Sequence, residues 1–127
     1  MCGISGYISK KQLIVENGLE NTLKLMKRRG PDSNNYFSEN EGSKQITLLH
    51  SRLNIIDLNQ RANQPYYDEN LIIIFNGEIY NYLEIRKKLE KKGYNFKTNS
   101  DTEVLIKSFH EYGEKCVDYF IGMWAFA

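Results

Sequence analysis

The sequence predicts one α+β domain in which helices and strands share a single core. Three patterns predict it. Residues 3–8 read as a short strand, and Leu71-Ile72-Ile73-Ile74-Phe75 is an unbroken apolar run of strand length. Around and after these come segments with apolar residues at helical spacing, bounded by helix start and stop signals. At 127 residues the chain can hold one core but not two ordinary domains. No repeat, low-complexity tract or Pro/Gly/Ser linker divides it.

Taken in order, the first strand is expected over 3–8, with Ile4 and Gly6 on one face and Ser5 and Tyr7 on the other. A helix follows over 15–28, where Val15, Leu19, Leu23 and Met26 form the apolar stripe and Lys27-Arg28-Arg29-Gly30-Pro31 ends it. Short strands are expected at 35–38 and 45–50, and the polar stretch 58–67 reads as loop. The run 71–75 is expected to be a strand covered on both faces, ending in a turn at Asn76-Gly77. Asn81 with Glu84 opens a helix that closes at Gly93, and Ser100 with Glu103 opens another ending near Tyr112-Gly113. A short helix at 114–120 precedes an apolar, aromatic strand at 123–127. A chain that stops inside such a strand leaves an open edge, so the domain is expected to be incomplete, with the polypeptide continuing beyond it.

Composition narrows the function. Lys plus Arg is 17 and Asp plus Glu is 16, for a formal net charge of +1. That balance gives no electrostatic reason to expect nucleic acid or an acidic membrane as partner. No apolar stretch reaches bilayer length, and the amino terminus lacks a secretion signal. Two cysteines make no disulfide framework, so a reducing cytoplasm is the expected setting. Neither a Gly-rich phosphate loop nor Cys/His spacing for a metal is found, and no cofactor is expected in this chain.

Cys2 directly follows the initiator Met1. Removal of Met1 leaves a thiol and an α-amine on one residue. An ordinary α-amine titrates at about 7.7–8.0, so near neutrality a usable fraction is free to act as base. The thiol is the strongest side-chain nucleophile available. One residue then supplies nucleophile and base. On its own, Cys2 also reads as a small apolar residue opening a strand.

The surrounding blocks decide between these readings. Cys2-Gly3-Ile4-Ser5-Gly6-Tyr7 resembles the opening of the class II glutamine amidotransferases, a branch of the amino-terminal-nucleophile hydrolases. Arg29-Gly30-Pro31-Asp32, His50-Ser51-Arg52-Leu53-Asn54-Ile55-Ile56-Asp57 with Gln64-Pro65, Asn76-Gly77-Glu78-Ile79-Tyr80-Asn81 and Ser100-Asp101-Thr102-Glu103 resemble, in order, blocks of the glutamine-hydrolysing asparagine synthetase branch. Two positions depart from the pattern: Lys27-Arg28 where Arg-His is usual, and Ala62 where glycine is usual.

The resemblance implies a four-layer αββα sandwich of antiparallel sheets and a glutaminase. Its catalytic residues would be Cys2, Asn76 and Gly77, the last two as an oxyanion hole, although Asn-Gly alone reads as a turn. Arg52 would grip the α-carboxylate of glutamine through two parallel hydrogen bonds, with backbone contacts from Leu53 and Ile55. Asp101, assisted by Glu78, would take the α-ammonium group; a surface arginine and a helix-capping carboxylate are the plainer readings of Arg52 and Asp101. Arg29 and Asp32 are expected to hold a loop, His50 to be a core histidine and Cys116 a buried apolar residue. The ammonia would pass to a C-terminal synthetase domain using ATP and Mg²⁺, outside this chain, and a homodimer is one open assembly state. A glutaminase serving a different acceptor, and a catalytically silent binding or regulatory piece, are the two alternatives.

Overall fold

The computed structural model describes residues 1–10 and 16–127. It is mixed α and β, and every described strand pairing is antiparallel. Strands β1 (Gly3–Ser9), β2 (Ser33–Glu41) and β3 (Lys44–Arg52) form one sheet in the order β1-β3-β2. Strands β4 (Tyr66–Asp68) and β5 (Leu71–Ile73) form a hairpin, and β6 (Phe75–Ile79) pairs with β7 (Gly122–Phe126). The helices are α1 (Glu16–Met26), α2 (Tyr82–Lys91) and α3 (Asp101–Tyr112).

Side-chain alternation explains how these pieces stack. In the first sheet Gly3 pairs with Ser51 and Ile4 with His50, so the two pairs face opposite ways. The Gly3 face meets α1: a Cβ at Gly3 would lie 3.2 Å from Met26 Cβ. The His50 face meets the second layer of strands, where His50 Nε2 lies 3.2 Å from the Phe75 carbonyl. Helix α3 then packs behind β4, β5 and β6. The order is helix, sheet, sheet, helix.

The core centres on α3. Its first eight residues, Asp101 through Ser108, are all buried. Val104, Leu105 and Ile106 join Ile79, Ile85, Leu89 and Phe120 in one apolar cluster. Each such side chain contributes about 1.5–3 kcal/mol when fully buried. The polar residues among them are satisfied. Glu103 accepts from Lys97 N, Thr98 N and Thr98 Oγ1 at 2.6–2.8 Å, and Lys107 pairs with Asp68 at 2.8 Å. Ser100 Oγ caps the helix by accepting from Glu103 N, as the sequence predicts.

Several elements differ from expectation. The apolar run 71–75 divides between β5 and β6 at Ile74, whose backbone pairs with Ala127, and Leu71 and Ile72 are only half-buried. Asn76-Gly77 is no turn, because β6 runs straight through it opposite β7. Glycine is needed there for close approach: a Cβ on Gly77 would lie 2.2 Å from the Met123 carbonyl. Asn81 does not cap α2 with its side chain; it donates to Tyr119 O and accepts from Ile121 N, tying the helix start to the strand partner. The stretch 58–67 contains a 3₁₀ turn at Gln60–Ala62 and enters β4 at Tyr66, and Gly113–Tyr119 is a 3₁₀ segment rather than an α-helix. Val15, the first apolar position of the expected helix, lies outside the described residues.

Candidate functional site

Cys2 stands one residue before β1, and two polar ties hold it there. Arg29 Nε donates to the Cys2 carbonyl at 2.9 Å. The Cys2 sulfur lies 3.4 Å from Leu53 N and 3.7 Å from Leu53 O. The next turn of chain is fixed by the Arg29–Asp32 loop: Asp32 N donates to Arg52 O, and Asp32 Oδ2 accepts from Asn54 N at 2.8 Å. Gly30 presses against Ser51, where a Cβ would sit 2.1 Å from the carbonyl oxygen, so no larger residue fits. Arg29 and Asp32 hold the loop, as expected of them.

Beside Cys2 opens a cleft enclosing about 490 Å³, its mouth included. Cys2, Arg52, Leu53, Ile55, Gly77, Glu78 and Asp101 all line it, although they come from β3, β6, α3 and the loops between. Met1 also lines it and is 60% exposed. Asn76 is not among the lining residues. It is half-buried, and its Oδ1 is buried with no hydrogen-bond partner among the described residues.

Arg52 is buried at the end of β3 and folds into the loop that follows. Its Nη1 donates to Asn59 O (3.0 Å) and Asn63 Oδ1 (2.6 Å), and its Nη2 to Ile56 O (3.4 Å) and Asp57 O. All four acceptors are neutral, so the cation's charge is not cancelled by a bonded carboxylate. The same bonds occupy both terminal nitrogens, so the expected pair of free parallel donors is already engaged. Burial lowers the Arg52 pKa, and Cys2, Asp57 and Asp32 nearby pull it back up.

Asp101 lies across the cleft at the first position of α3. Its Oδ2 accepts from Ile79 N at 3.2 Å, joining the helix start to β6. Burial raises the Asp101 pKa, and backbone N–H groups of Ile79 and Thr102 oppose the rise while Glu78 adds to it. No ion pair to Asp101 is found among the described residues. A carboxylate of this kind is suited to a cation arriving from outside.

His50 lies behind the site, buried and absent from the lining. Burial holds its pKa down to about 4, leaving a neutral ring that bridges the two sheets through Phe75 O. Cys116 is fully buried in the core.

Gln64 is the main lining residue whose role the sequence reading missed. Its Oε1 accepts from Phe75 N at 2.6 Å and its Nε2 donates to Thr102 Oγ1 at 3.1 Å, so it ties the start of β6 to the start of α3. The Gln64-Pro65 pair was its only signal. Ala62 also lines the cleft and is 2% exposed.

A family model described as glutamine amidotransferase domain matches residues 1–127. The chain belongs to the glutamine amidotransferase domain family. It is 43% identical over 132 residues to asparagine synthetase (glutamine-hydrolyzing) 1 of Bacillus subtilis, covering 99% of this chain and 20% of that protein. It is 39% identical over 133 residues to asparagine synthetase B (glutamine-hydrolyzing) of Escherichia coli, covering 100% of this chain and 23% of that protein. Amidase chry2 of Gibberella zeae is 35% identical over 142 residues, covering 99% of this chain and 20% of its own length. The amidotransferase chain thus spans about a fifth of the length of these curated relatives. Among its described residues no helix is long and apolar enough to cross a membrane, and no group of three or more His, Cys, Asp or Glu is placed to hold a metal ion.

Proposed function

We propose that this amidotransferase domain hydrolyses the side-chain amide of glutamine through Cys2, after Met1 is removed. The reading is carried by one observation: a single cleft is lined by Cys2 and by groups of the types a glutamine zwitterion needs. The freed α-amine takes the thiol proton, directly or through water, and the sulfur attacks the carboxamide carbon. The C–N bond breaks, ammonia leaves carrying the proton, and a thioester remains. Water then cleaves it to glutamate and the thiol.

The developing oxyanion is met by the backbone N–H of Gly77 and the carboxamide of Asn76. For Asn76 this requires its amide to turn toward the cleft. Losing one such donor typically costs about 10²–10³ in rate. Arg52 attracts the α-carboxylate by its uncancelled charge, exchanging one of its loop bonds for the ligand, while Leu53 and Ile55 border the substrate. Asp101, with Glu78, takes the α-ammonium group. A reducing cytoplasm suits a free thiol nucleophile.

The ammonia serves asparagine formation from aspartate in a following synthetase domain, which would hold ATP and Mg²⁺. The names of the Bacillus and Escherichia relatives support this reading. A second reading keeps the glutaminase and changes the acceptor, and the similarity to amidase chry2 favours it.

Ammonia release by the full-length polypeptide containing residues 1–127 tests the proposal. Cys2→Ala should abolish hydrolysis yet leave glutamine binding intact, and a form that retains Met1 should also be inactive. Turnover in either variant would refute the mechanism. Binding without turnover in the wild type would support a silent domain instead.

A further inference from the structure

We propose that Asp57 is a positioning residue that sets the spacing between Arg52 and Asp101, the two groups assigned to the amino-acid end of the substrate. The inference rests on the reading of the cleft as a glutamine site.

Asp57 bonds toward both groups at once. Its carbonyl accepts from Arg52 Nη2. Its carboxylate Oδ2 accepts from Asn99 N at 2.7 Å, two residues before Asp101, and Ser100 between them caps α3. Oδ1 accepts from Asn59 N at 3.1 Å, and Arg61 pairs with Oδ2 at 3.2 Å. One residue therefore links the loop that wraps the Arg52 guanidinium to the loop that presents Asp101, across 42 residues of sequence.

Two features mark this as a built joint. The Asp57 side chain is only 4% exposed, although Leu58 beside it is 72% exposed. A buried carboxylate is costly unless it is hydrogen-bonded, and this one is bonded at both oxygens. The backbone at Asp57 is left-handed, with φ of 50°, a conformation that Asp and Asn tolerate better than most side chains. Burial raises the Asp57 pKa, yet the N–H groups of Asn99 and Asn59 and the Arg61 charge outweigh it, leaving the carboxyl below its ordinary value. The ionised form is the one the joint uses.

The full-length polypeptide with Met1 removed tests the inference through Asp57→Gly and Asp57→Asn. Both replacements accept the left-handed backbone; Asn keeps one acceptor oxygen and Gly keeps none. Three readouts are taken: kcat and KM for glutamine, the rate at which iodoacetamide alkylates Cys2, and the glutamine concentration that protects Cys2. Iodoacetamide has no amino-acid end, so it reports the thiol alone. Asp57→Gly should raise KM by about tenfold or more, as small misplacements in a site do. The protecting concentration should rise by the same factor, with the alkylation rate and kcat little changed, and Asp57→Asn should fall between. An unchanged KM in both variants would overturn the inference, as would a loss of alkylation rate equal to the loss of protection. A wild-type thiol that glutamine does not protect would overturn the glutamine reading and this inference with it.

Discussion

The two halves of the molecule that meet at the cleft are built differently. In β2, seven of nine residues are exposed, and among the described residues α1 packs on that sheet from outside. In α3, eight residues in succession are buried, with apolar side chains in the core and carboxylates bonded to backbone N–H groups. The thin half carries Cys2 and Arg52; the dense half carries Gly77, Glu78 and Asp101. Stability resides where apolar area is buried, while the thin half is positioned by named polar ties: Arg29 to Cys2, Asp32 to Asn54, His50 to Phe75. Under the proposed reading, a thiol placed beside a sheet held by such ties stays reachable, and the dense layer behind it fixes the groups assigned to orient the substrate.

The contrast is sharpest in substitution costs, each measured by urea unfolding of the full-length polypeptide. Leu105→Ala, in the dense half at 1% exposure, should cost about 2–5 kcal/mol. Gly77→Ala, at the seam, forces β6 from β7 because of the 2.2 Å approach to Met123 O, and should cost about 1–3 kcal/mol. Tyr36→Ala, on the exposed β2 at 53% exposure, should stay within about 0.5 kcal/mol. Equal losses for Leu105→Ala and Tyr36→Ala would break the comparison.

The tie between the halves has its own pH signature. His50 has a folded pKa of about 4 against an ordinary 6.5. With the folded value lowered, the unfolded chain binds the proton first as pH falls. Stability complete above about 6.5 is therefore lost down to about 4, at up to about 1.4 kcal/mol per pH unit. His50→Gln should flatten that acid limb. Asp101, shifted upward, acts with the opposite sign, so the difference between wild type and His50→Gln isolates the histidine. Parallel limbs would show that the neutral ring is not the tie.

Element types were largely readable in the sequence, because apolar period and capping residues act locally. Ser100 and Glu103 announce α3, and Gly93, with φ of 96°, closes the α2 end as expected. What failed depended on partners distant in sequence. Asn76-Gly77 reads as a turn in isolation, and only β7 some forty-five residues later makes it a strand. Asn81 has the composition of a cap, but Tyr119 and Ile121 claim its side chain. The residues assigned to the site were named from the blocks, and the cleft gathers all of them except Asn76. The parts that escaped, Gln64 as a strut and Asp57 as a joint, are polar residues whose partners lie in other loops, with no periodic signal of their own.

Glutamine hydrolysis as proposed depends most on Cys2 as the residue that attacks the amide. Mass spectrometry of the full-length polypeptide treated with a glutamine-mimicking alkylating agent tests this directly. The prediction is one label, on Cys2 with Met1 removed, blocked by excess glutamine. A label on the buried Cys116 with Cys2 unmodified would contradict it.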